Sequence, residues 1–149
     1  KKSDEELANA FEPILKDKGF SAEKPFLMAF CRLVKEKVQF VHEFWDQGKY
    51  VFIAPDSYDE KVLSKKWKEN SKEVFTSLMN AFSSLEKWEV ASITSCFHEA
   101  EAAKGKIDMQ VLRVLITGVA GGPQLFDMLE LIGKAAVVDR MNKALAKLQ

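Results

Sequence analysis

The chain has 149 residues, 47% of them apolar and 30% charged, which is ordinary for one soluble globular domain or two small subdomains. Lysine plus arginine equals aspartate plus glutamate at 22 each, so the formal net charge is zero. This balance excludes a positive field over the whole domain, and any contact with RNA has to be local and shape-dependent. The two cysteines, Cys31 and Cys96, are too few for a disulfide scaffold and are expected to be reduced core thiols of a cytoplasmic protein.

The ends and apolar runs of the chain carry no membrane or secretion signal. No apolar run approaches the ~20 residues that cross a bilayer. The first segment, KKSDEELANAF, is charged and lacks the apolar stretch of a signal peptide. It starts without methionine, directly on a helix start, and we therefore expect the chain to be part of a longer protein.

Helical spacing of apolar residues dominates the first third of the chain. Ser3 and Glu6 make a capping-box pattern ahead of a first helix that ends before Gly19. Pro25 can open a second helix, PFLMAFCRLVKEK. The segment 40–52 then carries aromatic residues at roughly helical intervals, which are predicted to lie in the core: Phe40, Phe44, Trp45 and Tyr50.

The turn cluster at residues 54–57, Ala-Pro-Asp-Ser, is the best boundary candidate. Beyond it, predicted helices cover 59–68, 72–85, 89–104, 108–117, 124–132 and 134–148, with Asp108 as one N-cap. Strand-like alternation is nowhere sustained. We therefore predict an all-α chain of two consecutive small helical subdomains, residues 1–54 and 55–149.

Residue types that catalyse reactions or bind metals form no recognisable pattern. His42 and His98 have acidic neighbours, but no HxxxH or HExxH spacing supplies the three or four converging ligands that a metal needs. The chain contains no GxSxG elbow, no GxxxxGKS/T loop and no GxGxxG loop. We expect no catalytic residue, no metal site and no cofactor in this chain.

The segment VLRVLITGVAGGPQLFDMLELIG, residues 111–133, carries the strongest candidate site. A glycine-rich break at 121–123 starts a helix whose unpaired backbone N–H groups can hold a phosphate or the edge of a base. Arg113, in the preceding helix, has apolar neighbours and needs either a planar acceptor or a path for its head group to water. Two alternatives stay open from the residues alone. One is an internal salt bridge to Asp127 or Glu130 in a helical protein-interaction module, and the other is recognition of a carboxylate, phosphate or base edge.

The block LRVLITGVAGGPQLFDMLELIGKAAVVDRM closely resembles the C-terminal signature of bacterial-type glutamyl-tRNA synthetases. There an L-R-x-x-L-T-G helix precedes a short loop, x-P-x-L-F and a leucine-rich helix ending L-G-K. The resemblance extends to residues 25–52, with the ending KYVF, and to Trp88 before a long helix. It implies the anticodon-binding region of a class I aminoacyl-tRNA synthetase, an all-helical cage. The catalytic domain, with ATP and Mg²⁺, would precede this chain.

The resemblance also implies a set of binding residues. Arg113, Gly122, Pro123 and Leu125 would receive anticodon bases, and Thr117 would cap the arginine-bearing helix beside them. Gly122 stands where the family often has a threonine or another polar residue, which leaves only backbone contact there. The expected partners are the anticodon loop of tRNA(Glu) and the catalytic domain of the same chain, in a monomer.

Lys37 aligns with an arginine that reads the last anticodon base in some members of that family. Lysine keeps the charge but not the two-pronged geometry, and a bidentate base contact is worth ~1–3 kcal/mol of discrimination. The chain therefore also fits a non-discriminating glutamyl-tRNA synthetase or a class I lysyl-tRNA synthetase. We expect Lys37→Arg to sharpen the preference between stem-loops that differ only at the last anticodon base, measured by titration. An unchanged preference would mean that Lys37 does not align with that arginine or that the position is silent.

Overall fold

The protein is described by a computed structural model, which covers residues 3–36 and 40–148. Within these ranges it consists of α-helices and two 3-10 turns, without strands, and the all-α prediction is confirmed. The helices are α1 (Asp4–Asp17), α2 (Lys24–Val34), α3 (Phe44–Gly48), α4 (Glu60–Lys66), α5 (Ser71–Ser83), α6 (Val90–Lys104), α7 (Met109–Thr117), α8 (Leu125–Ile132) and α9 (Lys134–Lys147). None of these described helices has the length and apolar character needed to cross a membrane.

Local capping fixes helix starts where the sequence predicts them. The Ser3 hydroxyl accepts the N–H of Glu6 at 3.2 Å, and the Glu6 carboxylate accepts the N–H of Ser3 at 3.0 Å, which completes the capping box of α1. At α7, the Asp108 carboxylate accepts the N–H groups of Gln110 and Val111 at 2.9 and 3.0 Å. Both caps confirm the predictions, and the second one sets where the helix carrying Arg113 begins.

The segment 40–52 differs from its prediction. It forms two 3-10 turns, Val41–Glu43 and Lys49–Val51, on either side of the short helix α3. Phe44 is fully buried, but Phe40 is 59% exposed and stacks on the His42 ring at 5.7 Å, so its placement in the core was wrong. Phe40 has an extended backbone (φ −109°, ψ 137°) ahead of the first turn, and it therefore does not share the face that buries Phe44.

The helices pack around one hydrophobic cluster. Helix α1 lies against α2, where the Phe11 and Phe30 rings stack with centroids 5.0 Å apart. Helix α5 packs against α6 and α9, and α7 packs against α4 and α9. Helix α8 contacts both α2 and the turn Lys49–Val51, so buried residues on both sides of 54–57 share the core. The division into subdomains 1–54 and 55–149 stays a prediction.

Arg140 of α9 ties the two sides of the predicted boundary together. Its side chain is buried, and its guanidinium donates hydrogen bonds to the backbone carbonyls of Tyr50, Val51 and Ile116. Burial lowers the pKa of this guanidinium below its ordinary value, and Asp139 opposes that shift. The hydrogen bonds offset the cost of burying the charge. We call this set of contacts the Arg140 latch, and it fixes the end of α7 against the segment 49–57.

Candidate nucleic-acid interface

Arg113 of α7 is half-buried and bonded to the loop that follows its own helix. Its Nη1 donates to the carbonyl oxygen of Pro123 at 2.7 Å. This hydrogen bond ties α7 to the chain leading into α8. Burial lowers the pKa of the Arg113 guanidinium, but an arginine starts so high that it stays charged at neutral pH. Because its acceptor is a backbone carbonyl, the positive charge of Arg113 has no negatively charged partner at Pro123.

Neither carboxylate considered from the sequence pairs with Arg113. Glu130 instead accepts the backbone N–H of Val90 at 3.0 Å, at the start of α6. Across residues 3–36 and 40–148, no carboxylate oxygen lies within 4.0 Å of the Arg113 guanidinium. The described residues also contain no buried side-chain nitrogen without a partner, so the remaining Arg113 donors reach solvent. The internal salt bridge to Asp127 or Glu130 is thus absent.

Two glycines shape the loop beside this arginine. Gly122 has φ +143°, and a β-carbon there would lie 3.2 Å from Nη1 of Arg113, so the guanidinium rests against glycine backbone. Gly118 has φ +83° and ends α7 in the left-handed conformation. A β-carbon on Gly118 would lie 2.5 Å from the carbonyl oxygen of Ser57. Gly118 therefore needs glycine both for its backbone conformation and for the close approach of Ser57, whereas at Gly122 the positive φ favours glycine and the neighbouring atom is the movable end of a side chain.

Thr117 lies at the end of α7 with its side chain buried, 2% exposed. Its hydroxyl oxygen is 2.8 Å from the carbonyl oxygen of Arg113 and 3.2 Å from that of Val119, and it accepts the N–H of Val119 at 3.3 Å. These contacts occupy the hydroxyl within the protein. Thr117 thus holds the helix end and the start of the loop in place, and it presents no free polar group to the surface.

An open groove of about 500 Å³ lies in front of Arg113. We call it the Arg113 groove. Its lining comes from the end of α2, the first half of α7 and the start of α8: Leu33, Glu36, Met109, Gln110, Arg113, Gly122, Gln124, Leu125 and Phe126. The groove combines one guanidinium, one carboxylate and two amides with apolar surface. Such a set can recognise a flat, polar-edged molecule such as a nucleobase.

The structure brings together most of the site residues predicted from the sequence. Arg113, Gly122 and Leu125 line the groove, and Pro123, itself buried, supplies the carbonyl that orients Arg113. Leu125 is 5% exposed and contributes only a small apolar contact area. Lys37 lies outside the described residues.

Six lining residues are not predicted from the sequence as site residues: Leu33, Glu36, Met109, Gln110, Gln124 and Phe126. A signal exists for Gln110, because it precedes Arg113 by three positions and therefore shares its helical face. Gln124 and Phe126 flank the predicted Leu125, but neighbouring residues at a helix start point in different directions. Both residues line the Arg113 groove because of the path that the loop takes beside α7, and the spacing of residues in the sequence does not reveal that path.

Other chemistry is not assembled within the described ranges. No group of three or more His, Cys, Asp or Glu side chains there could hold a metal ion. Both cysteines are buried, and burial raises the pKa of the Cys31 thiol to about 12. A thiol of this kind is inert, since the thiolate is the nucleophile.

Comparison with known proteins identifies the family. An anticodon binding domain model matches residues 6–145. The chain is 39% identical over 152 residues to the glutamate–tRNA ligase of Flavobacterium johnsoniae and 32% identical over 151 residues to that of Bacteroides fragilis. Each alignment covers 99% of this chain and 30% of the relative, so the chain spans about a third of the length of the curated relatives it matches.

Two solved structures have the same fold. A crystal structure of a glutamate tRNA ligase from Elizabethkingia meningosepticum, in complex with its amino acid, matches with a TM-score of 0.93 and 30% identity over 99% of this chain and 30% of that one. Glutamate-tRNA synthetase from Elizabethkingia anophelis matches with a TM-score of 0.83 and 32% identity, over 97% of this chain and 29% of that one. Since the family model covers nearly the whole sequence, this chain belongs to the anticodon binding domain family.

Proposed function

We propose that the chain binds the anticodon loop of tRNA(Glu) as the anticodon-recognition part of a glutamate–tRNA ligase. The observation that carries this proposal is Arg113, which is oriented by the Pro123 carbonyl and has no carboxylate partner among the described residues. Its remaining donors reach solvent in front of an open groove. The relatives and solved structures named above, all glutamate–tRNA ligases, support the choice of RNA and of amino acid.

The charge of the Arg113 groove favours a base over a phosphate. Arg113 and Glu36 contribute one positive and one negative charge, so the groove as a whole does not attract an anion. A base edge carries donors and acceptors side by side, which the guanidinium and the amides of Gln110 and Gln124 can match. Phe126 and Met109 add apolar surface for the flat face of the ring. Unstacked loop bases are the usual targets of such recognition.

The chain supplies no chemical step in this proposal. Activation of glutamate with ATP and Mg²⁺, and its transfer to tRNA, belong to a catalytic domain elsewhere in the parent enzyme. One side of the Arg113 groove is formed by Gly122, Pro123 and Leu125 and is held in place by Thr117. Lys37 contributes to selection of the last anticodon base. The parent enzyme acts as a cytoplasmic monomer.

Titration of the chain with a labelled tRNA(Glu) anticodon stem-loop tests the proposal. Affinity should fall as salt rises, because single-stranded RNA releases counterions on binding, but the slope should be shallow for a neutral domain. A domain that contacts only two phosphates would lose about sevenfold in affinity between about 50 and about 200 mM salt, and more contacts would steepen the loss. A stem-loop with the same stem and a scrambled loop is the matched control and should bind more weakly. If the chain binds neither RNA, the proposal is wrong and the alternative of a helical protein-interaction module remains.

A further inference from the structure

We infer that a second groove, next to the Arg113 groove, takes one further nucleotide of the same RNA loop. This inference rests on the proposed function and extends it. The second groove, which we call the junction groove, has a volume of about 300 Å³. One wall is the segment 49–57 and the other is the end of α7 with the residues that follow, 117–119. This volume is at the lower limit of small-molecule sites, which suits a single nucleotide unit.

The two grooves lie on either side of one loop. Thr117, Gly118 and Val119 line the junction groove, whereas Gly122, three residues beyond Val119, lines the Arg113 groove. Three residues of extended chain span at most ~11 Å. A splayed RNA loop with one base in the Arg113 groove therefore has its neighbouring nucleotide within reach of the junction groove.

Hydrogen bonds join the two walls of the junction groove in the absence of a ligand. The Arg140 latch joins its two walls through the carbonyls of Tyr50 and Ile116. The Asp59 N–H donates to the carbonyl of Gly118 at 3.0 Å, and Gly118 packs directly on the Ser57 carbonyl. A preformed groove loses less conformational entropy on binding than one that has to be ordered.

The surface of the junction groove suits a base with its phosphate. Ile53 is 40% exposed, which is unusual for an isoleucine in the described part of this chain, and it offers an apolar face to a base. The Lys49 ammonium lies 5.6 Å from the centre of the Tyr50 ring, and Lys147 reaches the backbone carbonyl of Asp56 at 3.4 Å. The lining itself carries one positive and one negative side chain, Lys49 and Asp56, and the Lys147 ammonium at the Asp56 carbonyl adds a second positive charge beside the groove, where the phosphate of a bound nucleotide can lie.

Ile53→Asp tests the inference, because it places a negative charge where the base would stack. Ile53 is exposed, so the variant should fold. Ser95→Asp adds the same charge at an exposed position of α6 that lies outside both grooves. We expect Ile53→Asp to weaken binding of the intact stem-loop about tenfold, Lys49→Ala to weaken it several-fold, and Ser95→Asp to leave it unchanged.

A set of stem-loops with one abasic position each identifies the contact. Wild type should bind about tenfold more weakly to the stem-loop that lacks the base next to the one read by Arg113 than to the intact stem-loop. Ile53→Asp should bind these two RNAs equally, since the two changes remove the same contact. If both junction-groove variants bind like wild type while Arg113→Ala is weakened, the inference is wrong and the proposed function stands. A loss in Ile53→Asp that is equal for every abasic RNA also overturns the inference. If Arg113→Ala too binds like wild type, the proposed function fails with it.

Discussion

Arg140→Leu should lower the free energy of unfolding by about 3 kcal/mol, although leucine is the more apolar side chain. Burial of a guanidinium is costly, and its lowered pKa reflects that cost. The carbonyls of Tyr50, Val51 and Ile116, however, have Arg140 as their donor, and each buried acceptor left unpaired costs about 1–3 kcal/mol. The cost of leaving three carbonyls unpaired exceeds the cost of burying the guanidinium, which the leucine variant avoids. Urea unfolding followed by circular dichroism measures the difference.

Two further variants isolate the latch from a general effect of removing arginine. Arg32 is exposed and pairs with Asp4 at 2.8 Å, so Arg32→Leu should change stability far less. Arg140→Lys keeps the charge but has no fork to reach carbonyls on two segments, and its stability should lie between wild type and Arg140→Leu. Equal stability of Arg140→Leu and wild type would show that the three carbonyls find other partners and that the latch does not hold the two sides together.

The features that could be predicted from the sequence are those that local chemistry decides. The capping box of α1 and the Asp108 cap of α7 join residues at most three positions apart, so a few letters are enough to identify them. Gly118 ends α7 where the pattern predicts, because a left-handed residue there satisfies the last turn. The start of the helix carrying Arg113 and the loop beside it were therefore predictable to within a residue.

Contacts that side chains make with distant backbone could not be predicted. Every residue has a carbonyl, so nothing in the sequence marks Pro123 as the acceptor for Arg113, whereas Asp127 and Glu130 are visible there as carboxylates. Arg140 carried a usable signal, since it lies on the same face of α9 as the buried Val137 and other core residues. Its acceptors, however, are up to 90 positions away along the chain.

The segment 40–52 shows why aromatic spacing alone is a poor guide to helices. Phe44 and Phe52 do pack with α1 and α2, but from a short helix and its flanking turns. At Gly48 a β-carbon would lie 2.6 Å from the Phe30 ring, so α3 approaches α2 too closely for any larger residue. Tertiary packing against α2 thus determines the conformation of this segment, and the periodicity of its aromatic residues does not reveal that packing.

Arg113→Ala should weaken binding of the cognate anticodon stem-loop about tenfold, since a bidentate contact to a base edge is worth ~1–3 kcal/mol. The substitution removes the donors that reach the groove together with the Arg113–Pro123 hydrogen bond. Fluorescence titration against the cognate loop and loops with single-base changes gives the loss. Lys104→Ala is the matched control: it removes the same charge from a lysine that pairs with Glu73 at 3.6 Å and lines neither groove, and it should bind like wild type.

Arg113→Lys separates reading a base from holding a phosphate. Lysine keeps the positive charge and can still donate to the Pro123 carbonyl, but it cannot present two parallel N–H groups. If Arg113 reads a base, Arg113→Lys should lose most of the preference at that loop position, while the preferences at the other positions and the dependence on salt stay as in wild type. If Arg113 contacts a phosphate, base preference should survive in Arg113→Lys, and in Arg113→Ala the slope of log affinity against log salt should shrink by about one. The balanced charge of the groove, whose lining includes both Glu36 and Arg113, favours the first result.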